Sequence, residues 1–389
     1  MISTVSCPQI LREGKRRIGK RERGGVGCMR KLRAAIIGCG RISACYADAF
    51  QRLSDMVDVV YAVDKDSERA RAFAKKFDCK YASDFDQIPE DAIDVVHLCL
   101  PHYLHSPMAI KAMRAGFHVL TEKPIALSIQ EADEMLRVER ETGRKLGVIF
   151  QTRYTKGVEM LKQMIANGCF GKITAARSYL TWDRPKNYYA QSDWKGTWDK
   201  EGGGVLIDQA IHSIDRVRYM LGDDVEWVNG SIHNYAHSFV RVEDSANAAV
   251  MFQNGCLYNL YACNIYGANS PITIEFLGEK GRCGLIQDMG FYELDGVYAE
   301  IRNAYEDTAV GPNYWGSSHH LQIRDFYQSI LTDTPVRTDG MEGRKTLEII
   351  KGIYLSSLKG ECVSFPFEDV RYMDLNKAAK GPSAMDKPR

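Results

Sequence analysis

Three side chains in this sequence are of the types that move a proton beside a reacting oxygen: Lys123, Asp208 and His212. Lys123 follows the apolar run His118-Val119-Leu120-Thr121 and is the middle residue of Glu122-Lys123-Pro124. Proline fixes its own φ and pushes the residue before it into extended geometry, so Lys123 is expected to point one way only. Asp208 and His212 are four apart in a helical pattern running from Val205 to Leu221, which puts them on one helix face with side chains able to meet. Taken alone, such a pair is as readily a solvent-facing ion pair. Its place one turn after Gly202-Gly203-Gly204, and directly after an aromatic-rich segment, favours a site instead.

The elements that must hold Lys123 alternate between strand and helix. Ala34 to Ile37 reads as a strand, followed by the turn Gly38-Cys39-Gly40-Arg41-Ile42-Ser43 and a helix through Ala47, Phe50 and Leu53. That is the context a dinucleotide motif requires: Gly38 permits the tight turn, and Gly40 lets the backbone approach a pyrophosphate at the helix N-terminus. Ser43 stands where glycine or alanine is usual, and its small side chain still allows close packing. The next strand, Val57 to Val63, ends in Asp64, where a carboxylate accepts hydrogen bonds from ribose hydroxyls and repels a 2′-phosphate. NAD is thereby favoured over NADP, although Lys65 tempers the preference. Further strands at Ile93 to Cys99, His118 to Thr121 and Leu146 to Phe150 alternate with helices at Ser106 to Ala115 and Ser128 to Thr142, the latter opened by the capping box Ser128-x-x-Glu131. The reading is a doubly wound domain over residues 31–150, with ligands at the carboxyl ends of its strands. Those ends carry Gly38 to Ser43, Asp64, Leu100-Pro101-His102, Glu122-Lys123 and Gln151-Thr152-Arg153.

Residues 151–372 read as a second, α+β domain. After strand Ile173 to Thr181, a polar and aromatic segment from Asp183 to Gly204 is too long to be a routine connection and too rich in large aromatic residues to be disordered. Beyond the Asp208–His212 helix the pattern is β, with two-residue hairpin signals at Asn254-Gly255 and Asp295-Gly296. The expectation is a large, open, mostly antiparallel sheet covered by helices on one face. Asn303 to Ser318, with Tyr314 and Trp315, reads as irregular, and His320 in the following helix as a residue able to reach the pocket.

Composition narrows the function classes. The 389 residues are 45% apolar and 26% charged, with no apolar run near the roughly 18 residues of a membrane span. Eleven scattered cysteines without a C-x-x-C pair point to a reducing cytoplasm and to no zinc cluster, so no metal site is expected. The first 33 residues hold ten basic and two acidic side chains, leaving 41 basic against 48 acidic in the remainder, a poor polyanion binder. Residues 1–30 read as a basic, disordered leader, with 1–28 dispensable for folding and activity, and residues 373–389 as a frayed tail.

From Val95 to Lys123 the sequence resembles the glucose–fructose oxidoreductase and inositol dehydrogenase family (Gfo/Idh/MocA). It has the strand ending in Leu100-Pro101-His102, then His105, then Ala115-Gly116-Phe117-His118-Val119 and Glu-Lys-Pro in order, while Gly202 to His212 resembles a further family signature. The resemblance implies catalytic roles for Lys123, Asp208 and His212, a nicotinamide cofactor held by the residues named above together with His105, and dimers or tetramers formed through the second sheet. Oxidising a secondary alcohol needs a hydride acceptor, a base and a donor to the oxygen that gains charge. NAD supplies the first, His212 is favoured as the base, Asp208 orients it or binds a neighbouring hydroxyl, and Lys123 polarises the oxygen. A lysine base remains open. Sugar faces pack on aromatic rings, so Trp182, Tyr188, Trp194 and Trp198, with Arg153 and His320, are the expected substrate contacts beside Lys123, Asp208 and His212. The favoured reading is NAD-dependent oxidation of a ring hydroxyl of a sugar, glycoside or cyclitol, with carbon 3 of a glucoside as a specific form. Three alternatives stay open: reduction of a keto-sugar, glycoside cleavage with retained NAD, and a non-enzymatic NAD sensor. No nucleic-acid or membrane partner is expected.

Overall fold

The computed structural model describes residues 30–302 and 318–369. The expected leader, the tail, and the segment bearing Tyr314 and Trp315 lie outside these residues. The first sheet has six parallel strands: β1 (Leu32–Ile37), β2 (Val57–Val63), β3 (Lys80–Ala82), β4 (Val95–Leu98), β5 (His118–Thr121) and β6 (Leu146–Val148), in the order β3-β2-β1-β4-β5-β6. The order reverses between β1 and β4, which opens a crevice at their carboxyl ends. Helices α1 (Ser43–Arg52) and α2 (Ser67–Phe77) bury Tyr46, Phe50, Phe73 and Ala74 on one face of the sheet, with α3 (His105–Arg114) and α4 (Ile129–Thr142) packing on the other through Ala109, Met113 and Met135. At the start of α4 the Ser128 hydroxyl accepts the Glu131 N–H at 3.1 Å, and the Glu131 carboxylate accepts in return the Leu127 N–H instead of that of Ser128.

The second sheet has nine strands. In chain order they are β7 (Ile173–Thr181), β8 (Val225–His233), β9 (Ser245–Phe252), β10 (Leu257–Cys263), β11 (Thr273–Gly278), β12 (Gly281–Ile286), β13 (Met289–Leu294), β14 (Val297–Ile301) and β15 (Val363–Ser364). Every pairing is antiparallel except β7 with β10. The turn at Asp295-Gly296 has φ of 54° and 74°, the left-handed pair a two-residue hairpin demands. Helices α5 (Lys156–Ala166), α7 (Ile211–Leu221) and α9 (Gly340–Lys359) cover one face; α6 (Lys186–Ala190) lies within the aromatic segment.

Two features depart from the linear two-domain reading. Helix α8 (His319–Leu331), far along the chain, completes the core of the first sheet: Ile323, Phe326 and Tyr327 pack with Leu32, Ile36 and Phe50, and the Tyr327 hydroxyl lies 2.8 Å from Nε2 of buried His97. Gln322 of the same helix accepts the Phe150 N–H at 2.9 Å and donates to the Val148 carbonyl at 2.7 Å, which covers the free edge of β6. Arg153, expected to contact substrate, is fully buried. It forks onto Asp215 and reaches Glu342 at 2.6 Å, and Arg218 and Thr346 complete the network. A guanidinium taken out of water demands such partners, so Arg153 ties the end of the first domain to α7 and α9 and is not placed to meet a sugar.

Candidate active site

The turn after β1 is shaped for a close ligand. Gly38 has φ +97°, and a Cβ there would fall 2.4 Å from the Cys99 carbonyl oxygen of the neighbouring strand, so only glycine allows β1 and β4 to approach. A Cβ on Gly40 would meet nothing within 4 Å, which leaves open space on the loop side where a pyrophosphate is expected. Asp64 sits beside this loop and accepts the N–H groups of Cys39 at 2.8 Å and Asp66 at 2.9 Å, with Arg41 and Ile42 leading into α1. Glu122 is buried against α1, where it accepts the Tyr46 hydroxyl at 3.0 Å, and burial pushes its carboxyl up to about 7. These residues fit a dinucleotide, with Gly38 and Gly40 as the cradle and Asp64 at its ribose end.

Other residues expected at the cofactor also bond within the protein. Both ring nitrogens of His105 face backbone carbonyls, Pro124 at 2.7 Å and Leu100 at 2.9 Å, so its imidazole braces the Leu100-Pro101 turn against the Pro124 carbonyl, one peptide beyond the cis Lys123-Pro124 bond. His102 donates from Nδ1 to the Glu201 carbonyl at 2.8 Å and packs on Trp194 with ring centroids 4.6 Å apart. Both histidines are therefore joints between segments. Gln151 is buried in the 3-10 turn Gln151–Tyr154 below the ends of β5 and β6.

Lys123, at the end of β5, meets Asp208 from the second domain across 85 residues of sequence: its ammonium donates to the Asp208 carbonyl at 2.6 Å and stands 3.4 Å from Oδ1. Asp208 lies in a π-helical turn, Val205–Ala210, which precedes α7. Its Oδ2 accepts the Tyr188 hydroxyl at 2.7 Å, the Lys195 ammonium at 2.6 Å and the Gln209 amide at 2.8 Å. Burial alone would raise this carboxyl, but Lys195 and then Lys123 hold it well below the usual carboxylate range. Among the described residues Asp208 makes no side-chain hydrogen bond to His212. Its carboxylate is instead taken up by Tyr188, Lys195 and Gln209.

His212 opens α7 beside this pair. Its Nδ1 is buried without a partner among the described residues, and the ring stands edge-on to Phe150 with centroids 6.3 Å apart. Burial, then the charges of Lys123 and Arg216, hold the imidazole well below its normal pKa and therefore neutral. His319 adds to that push, whereas His320 is only partly buried in the first turn of α8.

The aromatic segment divides in two. Tyr188 and Trp194 stand at the charged cluster. Trp182 and Trp198 are core residues, 4% and 2% exposed, with indole N–H groups donating to the carbonyls of Ser270 and Arg241. A buried indole needs a partner for its N–H, and a backbone carbonyl provides it. Glu201 and Glu243 carry weight that sequence reasoning missed. Glu243, fully buried, accepts the N–H groups of Gly204 and Leu206 on its carboxylate, at 2.8 and 3.1 Å, and that of Val205 on its carbonyl. It thus caps the π turn that presents Asp208. The signal available was its place beside Asp244, two residues before β9; nothing in its own surroundings in sequence points to the glycine triplet.

Two stretches of the chain match described families: residues 32–150 match the oxidoreductase family GFO_IDH_MocA with its NAD-binding Rossmann fold, and residues 158–283 the GFO/IDH/MocA C-terminal domain. The chain is 27% identical to D-glucoside 3-dehydrogenase of Escherichia coli (strain K12), covering 85% of this chain and 96% of that protein. It is also 27% identical to myo-inositol 2-dehydrogenase of Thermotoga maritima, over 81% and 93% of the two chains. Among solved structures, the WlbA dehydrogenase of Bordetella pertussis in complex with NADH and UDP-GlcNAcA superposes with a TM-score of 0.77 at 27% identity, covering 87% of this chain and all of that one. With a nucleotide cradle in the first sheet and Lys123, Asp208 and His212 gathered at its edge, the chain belongs to the Gfo/Idh/MocA family of NAD(P)-dependent sugar oxidoreductases.

Proposed function

We propose that this protein oxidises a secondary ring hydroxyl of a sugar, glycoside or cyclitol with NAD, and that carbon 3 of a glucoside is the preferred position. The observation that carries the reading is the meeting of the Lys123 ammonium with Asp208 beside a neutral His212 at the mouth of the nucleotide crevice. The cofactor, when bound, supplies the hydride acceptor. Lys123 donates a hydrogen bond to the substrate oxygen and favours the alkoxide that develops there. His212, held neutral, takes the hydroxyl proton. Asp208 keeps the ammonium in place, and the hydroxyl of Tyr188 and the ring of Trp194 offer a polar contact and an apolar face to the sugar. The two ammonium groups of the site, Lys123 and Lys195, are matched by Asp208 and Glu201, which favours an uncharged substrate. Asp64 beside the glycine turn supports NAD over NADP.

The decisive test is a screen of purified protein against cyclitols, free sugars and glycosides with NAD and with NADP, following absorbance of the reduced nicotinamide. Accumulation of NADH with a glucoside or cyclitol, faster than NADPH, is the expected result. Release of aglycone without NADH accumulation counts instead for the cofactor-retaining cleavage reaction, and turnover with phosphosugars alone counts against the uncharged substrate.

The pH profile follows from His212. A depressed imidazole is neutral above its own pKa and is protonated only as pH falls below it. The oxidation rate is therefore expected to pass through about pH 6.5, where an unperturbed histidine titrates, without an acid limb. A loss of rate centred near that value in steady-state kinetics would remove His212 from the role of base.

The face of the nine-stranded sheet opposite the helices exposes Tyr179, Tyr261, Leu277, Ile286 and Tyr298. The same face carries the ion pairs Arg177–Glu275–Arg282–Glu293, and we propose that this mixed surface pairs with a second copy to give a homodimer or homotetramer. Among the described residues no helix is long and apolar enough to cross a membrane.

A further inference from the structure

Behind Asp208 stands a second ion pair, Lys195 with Glu201, that takes no part in the proton and hydride steps. Lys195 is largely buried, with its ammonium 2.6 Å from Oδ2 of Asp208 and 3.3 Å from Oε1 of Glu201, whose side chain is 1% exposed. The other oxygen of Glu201 accepts the N–H of Gly196. The ammonium also donates to the Tyr188 hydroxyl at 3.0 Å and lies over the rings of Tyr188 and Trp194, 4.9 and 4.7 Å from their centroids. Lys123, Asp208, Lys195 and Glu201 thus form a buried row of alternating charge. A pair serving packing alone would place Lys195 closest to Glu201; here it sits closer to Asp208.

Removing charges from water is costly, so a buried row is stable only when its signs balance. Lys123 and Asp208 already balance each other. Lys195 adds a cation that Glu201 offsets. The other groups facing the row are His102 and Gln209 toward Asp208, and Tyr188, Tyr189 and Tyr354 around Lys195 and Glu201. Burial and the Asp208 charge push the Glu201 carboxyl up against the pull of Lys195, while the same ammonium holds Asp208 down. Of the two carboxylates, Glu201 is the one that yields to a proton.

We propose that Lys195 and Glu201 are positioning residues for the reaction centre: Lys195 locks Asp208 as a carboxylate directed at Lys123, and Glu201 exists to balance that second cation. The proposal rests on the catalytic reading of Asp208. Without Lys195, Asp208 and Glu201 become two buried carboxylates sharing one ammonium, and a proton enters the row near neutral pH.

The test uses the full chain and the variants Lys195→Met, Glu201→Gln and the double variant. For each, kcat is measured with NAD and the best sugar of the screen across pH, NAD affinity by fluorescence, and the unfolding midpoint of the cofactor-free protein across pH. Lys195→Met is expected to lower kcat at neutral pH at least about tenfold and to move the acid limb up by about one pH unit or more, with NAD affinity within about twofold of the parent. Adding Glu201→Gln restores the balance of charge, so the double variant recovers most of that loss. An acid limb that stays in place, or losses that multiply in the double variant, overturns the proposal. If Lys195→Met does not fold, Glu201→Gln alone decides: its acid limb moves to lower pH under the proposal, and an unchanged limb overturns it. Coupling between positions 195 and 201 in the unfolding data, with no sugar turned over by any form of the protein, overturns the catalytic reading while leaving the charge pair intact.

Discussion

Lys123→Ala is expected to lower turnover by at least about a hundredfold while leaving NAD affinity close to that of the parent, as loss of one oxyanion donor typically does. The ammonium makes its contacts with Asp208, in the substrate half of the cleft, and none of the cradle residues Gly38, Gly40 and Asp64 bonds to it. His212→Ala should show a loss of the same order by removing the base. Lys123→Arg should fail to rescue, because the planar guanidinium is bulkier and forks where the ammonium makes one short bond to the Asp208 carbonyl. Steady-state kcat with a responsive sugar and a fluorescence titration with NADH separate chemistry from binding. Turnover near the parent's in either alanine variant would reject the assignment.

The second large effect is expected at Gly204. A Cβ there would fall 1.9 Å from the Glu243 carbonyl oxygen, and one on Gly203, with φ +151°, would fall 2.0 Å from the Tyr354 hydroxyl. Neither partner can retreat: Glu243 caps the π turn with its carboxylate, and Tyr354 donates to the same carboxylate at 2.9 Å. Gly204→Ala should therefore destabilise the protein by about 3 kcal/mol or more, read as a shift in the denaturant midpoint. The molecules that remain folded should turn over more slowly, because Asp208 is carried on the displaced turn. A variant that keeps both the midpoint and kcat of the parent would show that the close approach is not needed.

The legible part of this chain was local. Strand β9 and the hairpin turn at Asp295-Gly296 follow from period-two patterning and from residues that tolerate left-handed φ, whereas at Asn254-Gly255 only Gly255 is left-handed and the Phe252–Cys256 bond closes a three-residue loop in place of the expected two. The ends of β1, β2 and β5 follow from apolar runs closed by Gly38, Asp64 and Lys123, so the parallel sheet could be read with its ligand edge. What escaped depends on partners distant in sequence. Arg153, Trp182 and Trp198 have the chemistry of sugar contacts, and only the positions of Asp215, Ser270 and Arg241 show that they are committed elsewhere. The π turn at Val205–Ala210 leaves an α-like apolar pattern, because the single residue that widens it changes no residue type. Its cause, the cap supplied by Glu243, lies 39 positions from Gly204.

The return of α8 to the first sheet has a consequence for how the protein comes into being. Ile36 and Phe50 are made early in synthesis, yet their burial is completed by Ile323, Phe326 and Tyr327, near the end of the chain. A nucleotide-binding unit cut at residue 150 would leave that surface wet and the edge of β6 unpaired. Burial of that face of the first sheet is therefore complete only after residues 319–331 have been made.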